Sequence, residues 1–244
     1  MVLPGNQGVR SSPVANAEEA MFWRVLTEAR RALFLAARLL VILLFAERDR
    51  KRGMAAVSVR RGAHFACGLL ACGLPWQRLS AQTVLLLVVL LLVGMTLARR
   101  LGALRWVEES GQGATGVYLF PLAVVLLYFW SEGRPMLYVL PLLVTAIADP
   151  LASWVGGKCG GSRWRFGSGQ RTLAGSVAFA VAAGAVGVLY FTRYGWTPEA
   201  AFWQLALPLA LVAAAAESLS PSGTDNFAVP LTVHFLLRCL GPDR

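Results

Sequence analysis

The sequence predicts an all-α integral membrane protein, a polytopic bundle of about seven or eight transmembrane helices. Three observations carry that prediction. The 244-residue chain is 57% hydrophobic and only 15% charged, against about 25% charged residues in an ordinary soluble domain. Its apolar residues come in blocks separated by short polar connections. One block, "AQTVLLLVVLLLVGMTLA" from Ala81 to Ala98, holds no charge at all.

The first twenty residues contain Gly, Pro and Ser and lack the apolar core of a signal peptide. They are expected to form a disordered tail, leaving 21–244 as one transmembrane domain. Eight apolar segments follow: Ala29–Ala46, Gly62–Trp76, Ala81–Ala98, Ala114–Trp130, Pro135–Val155, Thr172–Phe191, Glu199–Leu219 and Asn226–Leu240. The first contains Arg38 and follows "MFWRVLTEARR", a mixture of aromatics and cations typical of interfacial helices. It is expected either to cross or to lie in the interface. The second and last are short enough to be re-entrant. The four cysteines, Cys67, Cys72, Cys159 and Cys239, form no CxxC pair and point to no zinc site.

The net charge of +10 would suggest nucleic acid in a soluble protein. Here the cations sit in particular loops, and no nucleic-acid partner is expected. If every segment crosses, one side receives the basic loop around Arg48–Arg61, then Arg99, Arg100 and Arg105, then Lys158, Arg163, Arg165 and Arg171. The other side receives Arg78, Arg134, Arg193, Arg238 and Arg244. The positive-inside rule assigns the richer side to the cytoplasm.

The acids sort onto the same side. Asp149 ends the fifth segment, Glu217 the seventh, and Asp225 begins the eighth; Glu47 and His64 bracket the first basic loop. Ionisable groups in or beside a membrane span are costly and mark function by default. Pro150 disfavours helical geometry at Asp149, so Asp149 either caps a half-helix or lines a site. If the helix continues, Asp149 and Ser153 share a face. The loop from Gly156 to Gly169 combines six glycines with Lys158, Arg163 and Arg165, and Arg171 follows it. Such a loop lets backbone N–H groups and cations surround phosphate, and Thr172 opens the next helix, whose N-terminus favours anions. Asp225 reads equally as a helix cap. Glu217, at the end of "LALVAAAAES", has no evident use in lipid, and a divalent cation would explain the convergence of acids.

The stretches "DPLASWVGG…FGSGQRTLAGS" and "ESLSPSGTDNFAVPL" resemble the phytol kinase and dolichol kinase family of CTP-dependent lipid-alcohol kinases. "RRGAHFACG" and "GATGVYLFPLAVVL" are similar to two further segments of that family. The resemblance spans roughly Glu47 to Leu231 and implies transfer of the γ-phosphate of CTP to an isoprenoid hydroxyl with Mg2+ or another divalent cation. By matching position it carries over Asp149, Ala152, Gly156, Phe166, Gly167, Thr172, Gly175, Ser176, Glu217, Asp225, Asn226 and Pro230. Arg171 stands where the family has Lys, which exchanges a point donor for a planar fork. Ala174 replaces a Glu of dolichol kinase-like members, which favours the phytol kinase-like ones.

The expected roles follow from the two readings together. Asp149, Glu217 and Asp225 are the catalytic and metal-holding acids. Gly156, Lys158, Arg163, Arg165, Gly167, Arg171, Thr172, Ser176 and Asn226 form the nucleotide site. Arg61, His64 and Ser153 are secondary candidates. Two alternatives stand beside this: a phosphatidate cytidylyltransferase-like enzyme, which would also use CTP, and an ion-coupled transporter, which would use acids in broken helices.

Overall fold

The computed structural model describes residues 13–109, 115–166 and 169–241. All eight predicted apolar segments are essentially helical. α1 is Pro13–Lys51, α2 Ala56–Cys72, α3 the turn Leu74–Gln77, α4 Ala81–Arg100, α5 Arg105–Glu109, α6 Thr115–Trp130 and α7 Pro135–Cys159. A hairpin of β1 (Arg163–Phe166) and β2 (Gly169–Thr172) precedes α8 (Leu173–Arg193). Next come α9 (Pro198–Ala200), a π-helical turn (Ala201–Ala206) and α10 (Leu207–Ser218), forming one stretch, and finally α11 (Asp225–Leu240).

Four of these helices are long and apolar enough to cross a membrane: Ala81–Arg100, Pro135–Cys159, Leu173–Arg193 and Pro198–Ser218. α6 is apolar but shorter. The architecture is therefore all-α in its body, consistent with a membrane protein.

α7 is the central element. Its Leu137, Leu140, Val144 and Ala148 form a core with Phe179 and Ala183 of α8, Leu209 and Ala213 of α10, and Val233 and Leu237 of α11. Its Tyr138, Val139 and Leu142 face a second core with Ala71 and Cys72 of α2, Val84 of α4 and Val124 of α6. The Tyr138 hydroxyl donates to the Ala71 carbonyl at 3.0 Å inside that core. α1 lies antiparallel beside α2: Ala46 packs with Ala56, Val59 and Ala63 at one end, and Arg31 donates to the Gln77 carbonyl at the other. The first segment therefore runs along the bundle.

Three sequence expectations change. Residues 13–20, expected in a disordered tail, belong to α1. The basic glycine loop is a hairpin in its second half, with Trp164 opposite Arg171 and Arg165 opposite Gln170, while Gly156, Gly157 and Lys158 complete the last turn of α7. And α7 does not break at Asp149: it passes through both Pro141 and Pro150, so Asp149 caps no half-helix. A proline leaves the carbonyl four residues earlier without its helical donor. For Pro141 that carbonyl is Leu137, and His234 Nδ1 meets it at 2.8 Å. Arg238 Nε donates to the other ring nitrogen at 3.1 Å, which assigns the neutral tautomer with hydrogen on Nδ1. A histidine for which no role was expected thus closes a gap in the central helix.

Candidate functional site

The site is assembled at one end of the bundle by α2, α7, β2, α10 and α11. Its centre is Arg171. The guanidinium places Nη2 2.7 Å from Asp225 Oδ2 and Nε 3.0 Å from Glu217 Oε1. The first contact is a charge-assisted hydrogen bond. The second is an ion pair only, because the Nε hydrogen is not directed at the carboxylate and remains without an acceptor. The three side chains are 14%, 5% and 10% exposed for Arg171, Glu217 and Asp225. Burial works against the guanidinium charge, but Asp225 and Glu217 outweigh it and hold Arg171 above its usual pKa. Removing one member of such a buried group leaves an uncompensated charge.

Strand alternation explains why Arg171 alone turns inward. Successive strand residues face opposite sides, and directly paired residues share a side. Arg171 pairs with Trp164, so Arg163 and Arg165 belong to the other face, where both are exposed. Lys158 is exposed on α7 with its ammonium 4.5 Å above the Trp154 ring. The expected four-cation cradle is therefore split: one cation among the acids and three toward solvent. Gly167 lies outside the described residues.

Asp149 projects from α7 and keeps 28% of its side chain exposed. Its carboxylate stands 3.9 Å from His64 Nε2 and within electrostatic reach of Asp225, Glu217 and Arg171. The same His64 nitrogen is 3.4 Å from the Thr145 carbonyl. One turn along α7, Ser153 takes Arg61: Nε donates to Ser153 Oγ at 2.9 Å and Nη2 to its carbonyl at 2.8 Å. The secondary candidates Arg61, His64 and Ser153 thus fix α2 to the Asp149 face. Arg60, read from the sequence as a loop cation alone, is within electrostatic reach of both Asp149 and Asp225. Its place next to Arg61 and one helical turn before His64 was the available signal.

The remaining residues position these. Thr172 Oγ1 caps α8 by accepting from the Gly175 N–H at 3.1 Å. A Cβ on Gly156 would collide with that hydroxyl, so Gly156 serves the close approach of α7 to α8. Ser176 Oγ lies 3.4 Å from Glu217 Oε2 and 3.0 Å from Ser218 Oγ. Asp225 stands in the first turn of α11, where Thr224 is the capping position; its Oδ1 accepts from the Asn226 N–H at 2.9 Å. Asn226 Nδ2 reaches the Gly116 carbonyl at 3.4 Å and anchors α11 to the start of α6.

Among the described residues no three His, Cys, Asp or Glu side chains converge closely enough to cage a metal ion. A closed carboxylate cage therefore does not fit. Magnesium, however, is commonly held by one or two carboxylates with phosphate oxygens completing its shell, and that requirement fits. Arg171 engages both Glu217 and Asp225, while Asp149 keeps 28% of its side chain exposed with Arg60 and Arg171 in electrostatic reach.

Comparison with known proteins adds one relative. The chain is 30% identical over 138 residues to a curated protein named phytol kinase from Synechocystis sp. (strain ATCC 27184 / PCC 6803 / Kazusa). The match covers 55% of this chain and 58% of that protein, so the chain spans less than two thirds of the relative's length. The relative is of the family that the two acidic stretches resemble. No family model matches the chain, and no solved structure does.

Proposed function

We propose that this protein is a multi-pass membrane kinase that transfers the γ-phosphate of CTP to the hydroxyl of an isoprenoid alcohol at the cytoplasmic face. In this reading all eight apolar segments cross or enter the bilayer. The observation that carries it is the pairing of Glu217 and Asp225 with Arg171, with Asp149 in electrostatic reach of all three, at the end of helices apolar enough for a membrane. The likeness to a phytol kinase supports the choice of a lipid-alcohol acceptor.

The chemistry asks for a boundary site. The acceptor chain stays among the helices while its hydroxyl meets a water-borne triphosphate. The hydroxyl oxygen attacks the γ-phosphorus, the bond to the β-phosphate bridging oxygen breaks, CDP leaves, and the hydroxyl proton passes to a base. Positioning and charge neutralisation do most of the work in such a transfer. Asp225 is a poor base, because Arg171 holds one oxygen and the Asn226 N–H the other. Asp149 is more exposed, with His64 Nε2 3.9 Å from its carboxylate, so we assign it the hydroxyl proton or the metal. Asp149, with Glu217 or Asp225 as a second ligand, would hold magnesium, which would supply charge neutralisation at the phosphates. Arg171 serves the phosphates from its place between the acids, while Lys158, Arg163 and Arg165 gather the nucleotide from the solvent side. Thr172 and Asn226 each retain a hydrogen to donate, whereas the Ser176 hydroxyl is directed at Glu217 and Ser218.

The test is purified protein with labelled CTP or ATP and a panel of phytol, shorter prenols, polyprenols and diacylglycerol. Transfer of γ label to an isoprenoid alcohol supports the proposal. Transfer of α label identifies a cytidylyltransferase. Consumption of neither nucleotide, with solute counterflow in vesicles, identifies a transporter.

A further inference from the structure

A second cluster of cations lies at the far end of the molecule. An open cleft of about 530 Å³ is formed where the first part of α1 meets the α3–α4 turn, and its polar lining is Arg24, Thr27, Glu28, Arg31, Arg78 and Ser80, with Trp23 beside them. Three arginines face one acid. That acid is already engaged, since Glu28 Oε1 accepts from the Ser80 N–H at 2.6 Å. Arg31 is spent on the Gln77 carbonyl at 3.1 Å. Among the described residues the side chains of Arg24 and Arg78 make no hydrogen bond or ion pair, and Arg24 attracts Glu28 only at longer range. Arg78 also sits at φ 51°, a left-handed position that glycine or asparagine would occupy at less cost.

The depth of the cleft follows from α4. That helix starts at Ala81, beside the cleft, and its last turn carries Arg99, which donates to the Tyr118 hydroxyl of α6. The same first turns of α6 hold Asn226, the neighbour of Asp225. Twenty residues of helix rise about 30 Å, close to one hydrocarbon thickness. The arginine cleft is therefore one membrane thickness from Arg171 and Asp149. Trp23 and Trp76 are exposed there at 55% and 63%, as interfacial aromatics are. Leu33 and Phe34 of α1 and Leu85 and Leu86 of α4 continue from the cleft as exposed apolar faces.

We propose that this cleft binds the phosphate ester of an anionic glycerophospholipid in the leaflet opposite the reaction site. Two guanidiniums without side-chain hydrogen bonds offer planar, multidentate donors suited to phosphate oxygens. Their excess positive charge matches a headgroup with net negative charge rather than a zwitterion. The apolar faces running from the cleft give the acyl chains a surface, which a free anion would not need. The lipid would hold the outer part of α1 to the turn before α4, where the protein itself supplies little more than the Arg31 and Glu28 contacts.

The experiment compares the wild type with Arg24→Gln, Arg78→Gln and the double variant, all purified in mild detergent. Thermal unfolding is recorded with added phosphatidylglycerol, phosphatidylcholine or inorganic phosphate, and co-purified lipid is counted by native mass spectrometry. Arg30→Gln, an exposed cation of α1 outside the cleft lining, is the control. Phosphatidylglycerol should be retained by the wild type and the control and should raise their unfolding temperature. Each cleft arginine removed should lower retention about fivefold, and the single variants keep the test open if the double variant folds poorly. Equal retention in the cleft variants, or an equal effect of phosphatidylcholine, overturns the proposal. A full effect of inorganic phosphate alone overturns the lipid assignment in favour of a soluble anion. Kinase assays of the same samples are read separately, so loss of the proposed activity would not decide this site.

Discussion

Helices α4 and α7 are both long and apolar enough to cross a membrane, yet they sit in opposite surroundings. The most apolar window of α4 has mean hydropathy 2.4 and is 11% buried; that of α7 has mean hydropathy 1.6 and is 67% buried. The greasier helix is the one left on the outside. In water this would be an inversion. In lipid it is expected, because hydrocarbon outside is as apolar as leucine inside, and packing between helices relies on shape and polar contacts. α7 carries Asp149 and Ser153, which meet His64 and Arg61 of α2, and Pro141, whose freed Leu137 carbonyl is met by His234 of α11. Hydropathy therefore marks what faces lipid, while the lower-hydropathy helix marks the working interior.

The comparison can be broken first at Asp149. Asp149→Asn should reduce γ-phosphate transfer at least about 100-fold while the protein still inserts, as measured in parallel by the kinase assay and membrane fractionation. Retained activity would remove the carboxylate from the chemistry. Arg171→Ala should come next on the stability scale. Glu217 and Asp225 would be left buried without their cation, at a cost of about 3–5 kcal/mol, read by thermal or chemical unfolding in detergent. Charge neutralisation offers the control: adding Glu217→Gln and Asp225→Asn to Arg171→Ala should recover part of that loss but not activity.

A packing pair sharpens the contrast further. Leu142 of α7 is fully buried and Leu90 of α4 is 58% exposed. Leu142→Ala should destabilise by about 2–5 kcal/mol, whereas Leu90→Ala should stay within about 0.5 kcal/mol. Equal effects would mean that α4 has a protein partner on its outer face. The smallest difference is expected from glycine. A Cβ on Gly68 would collide with Ala146 of α7, while one on Gly94 of α4 meets nothing within 4 Å. Gly68→Ala should cost about 1–3 kcal/mol, and Gly94→Ala should instead be neutral or gain up to about 1 kcal/mol through helix propensity. Unfolding midpoints of the two variants decide this.

Much of this organisation was legible in the chain. From α4 onward the apolar blocks placed the helices to within a few residues, as with Ala81–Ala98 against Ala81–Arg100, whereas α1 starts well before its segment. Alternation of loops also sorted Asp149, Glu217 and Asp225 to one end, where they meet. The glycine-rich loop was less readable. Gly156 suggested a phosphate contact, but its missing Cβ is required by Thr172 on the next helix. Arg163, Arg165 and Arg171 looked equivalent until strand pairing put Arg171 on the opposite face. Pro150 suggested a break, yet packing on both sides of α7 keeps that helix continuous. His234 carried no signal at all, because its partner is a carbonyl 97 positions away.

The order of apolar and charged residues by itself determined which segments are helical and which ends carry the acids, since both depend on local periodicity and on the cost of charge in hydrocarbon. Only the tertiary structure decided that Arg171 stands between Glu217 and Asp225, that Asp149 is left to His64, and that α7 rather than the more apolar α4 forms the centre. Those outcomes depend on distances between groups 8 to more than 90 residues apart, such as Arg61 and Ser153 at a separation of 92. Such distances are set by how whole helices pack and are not encoded in any single stretch.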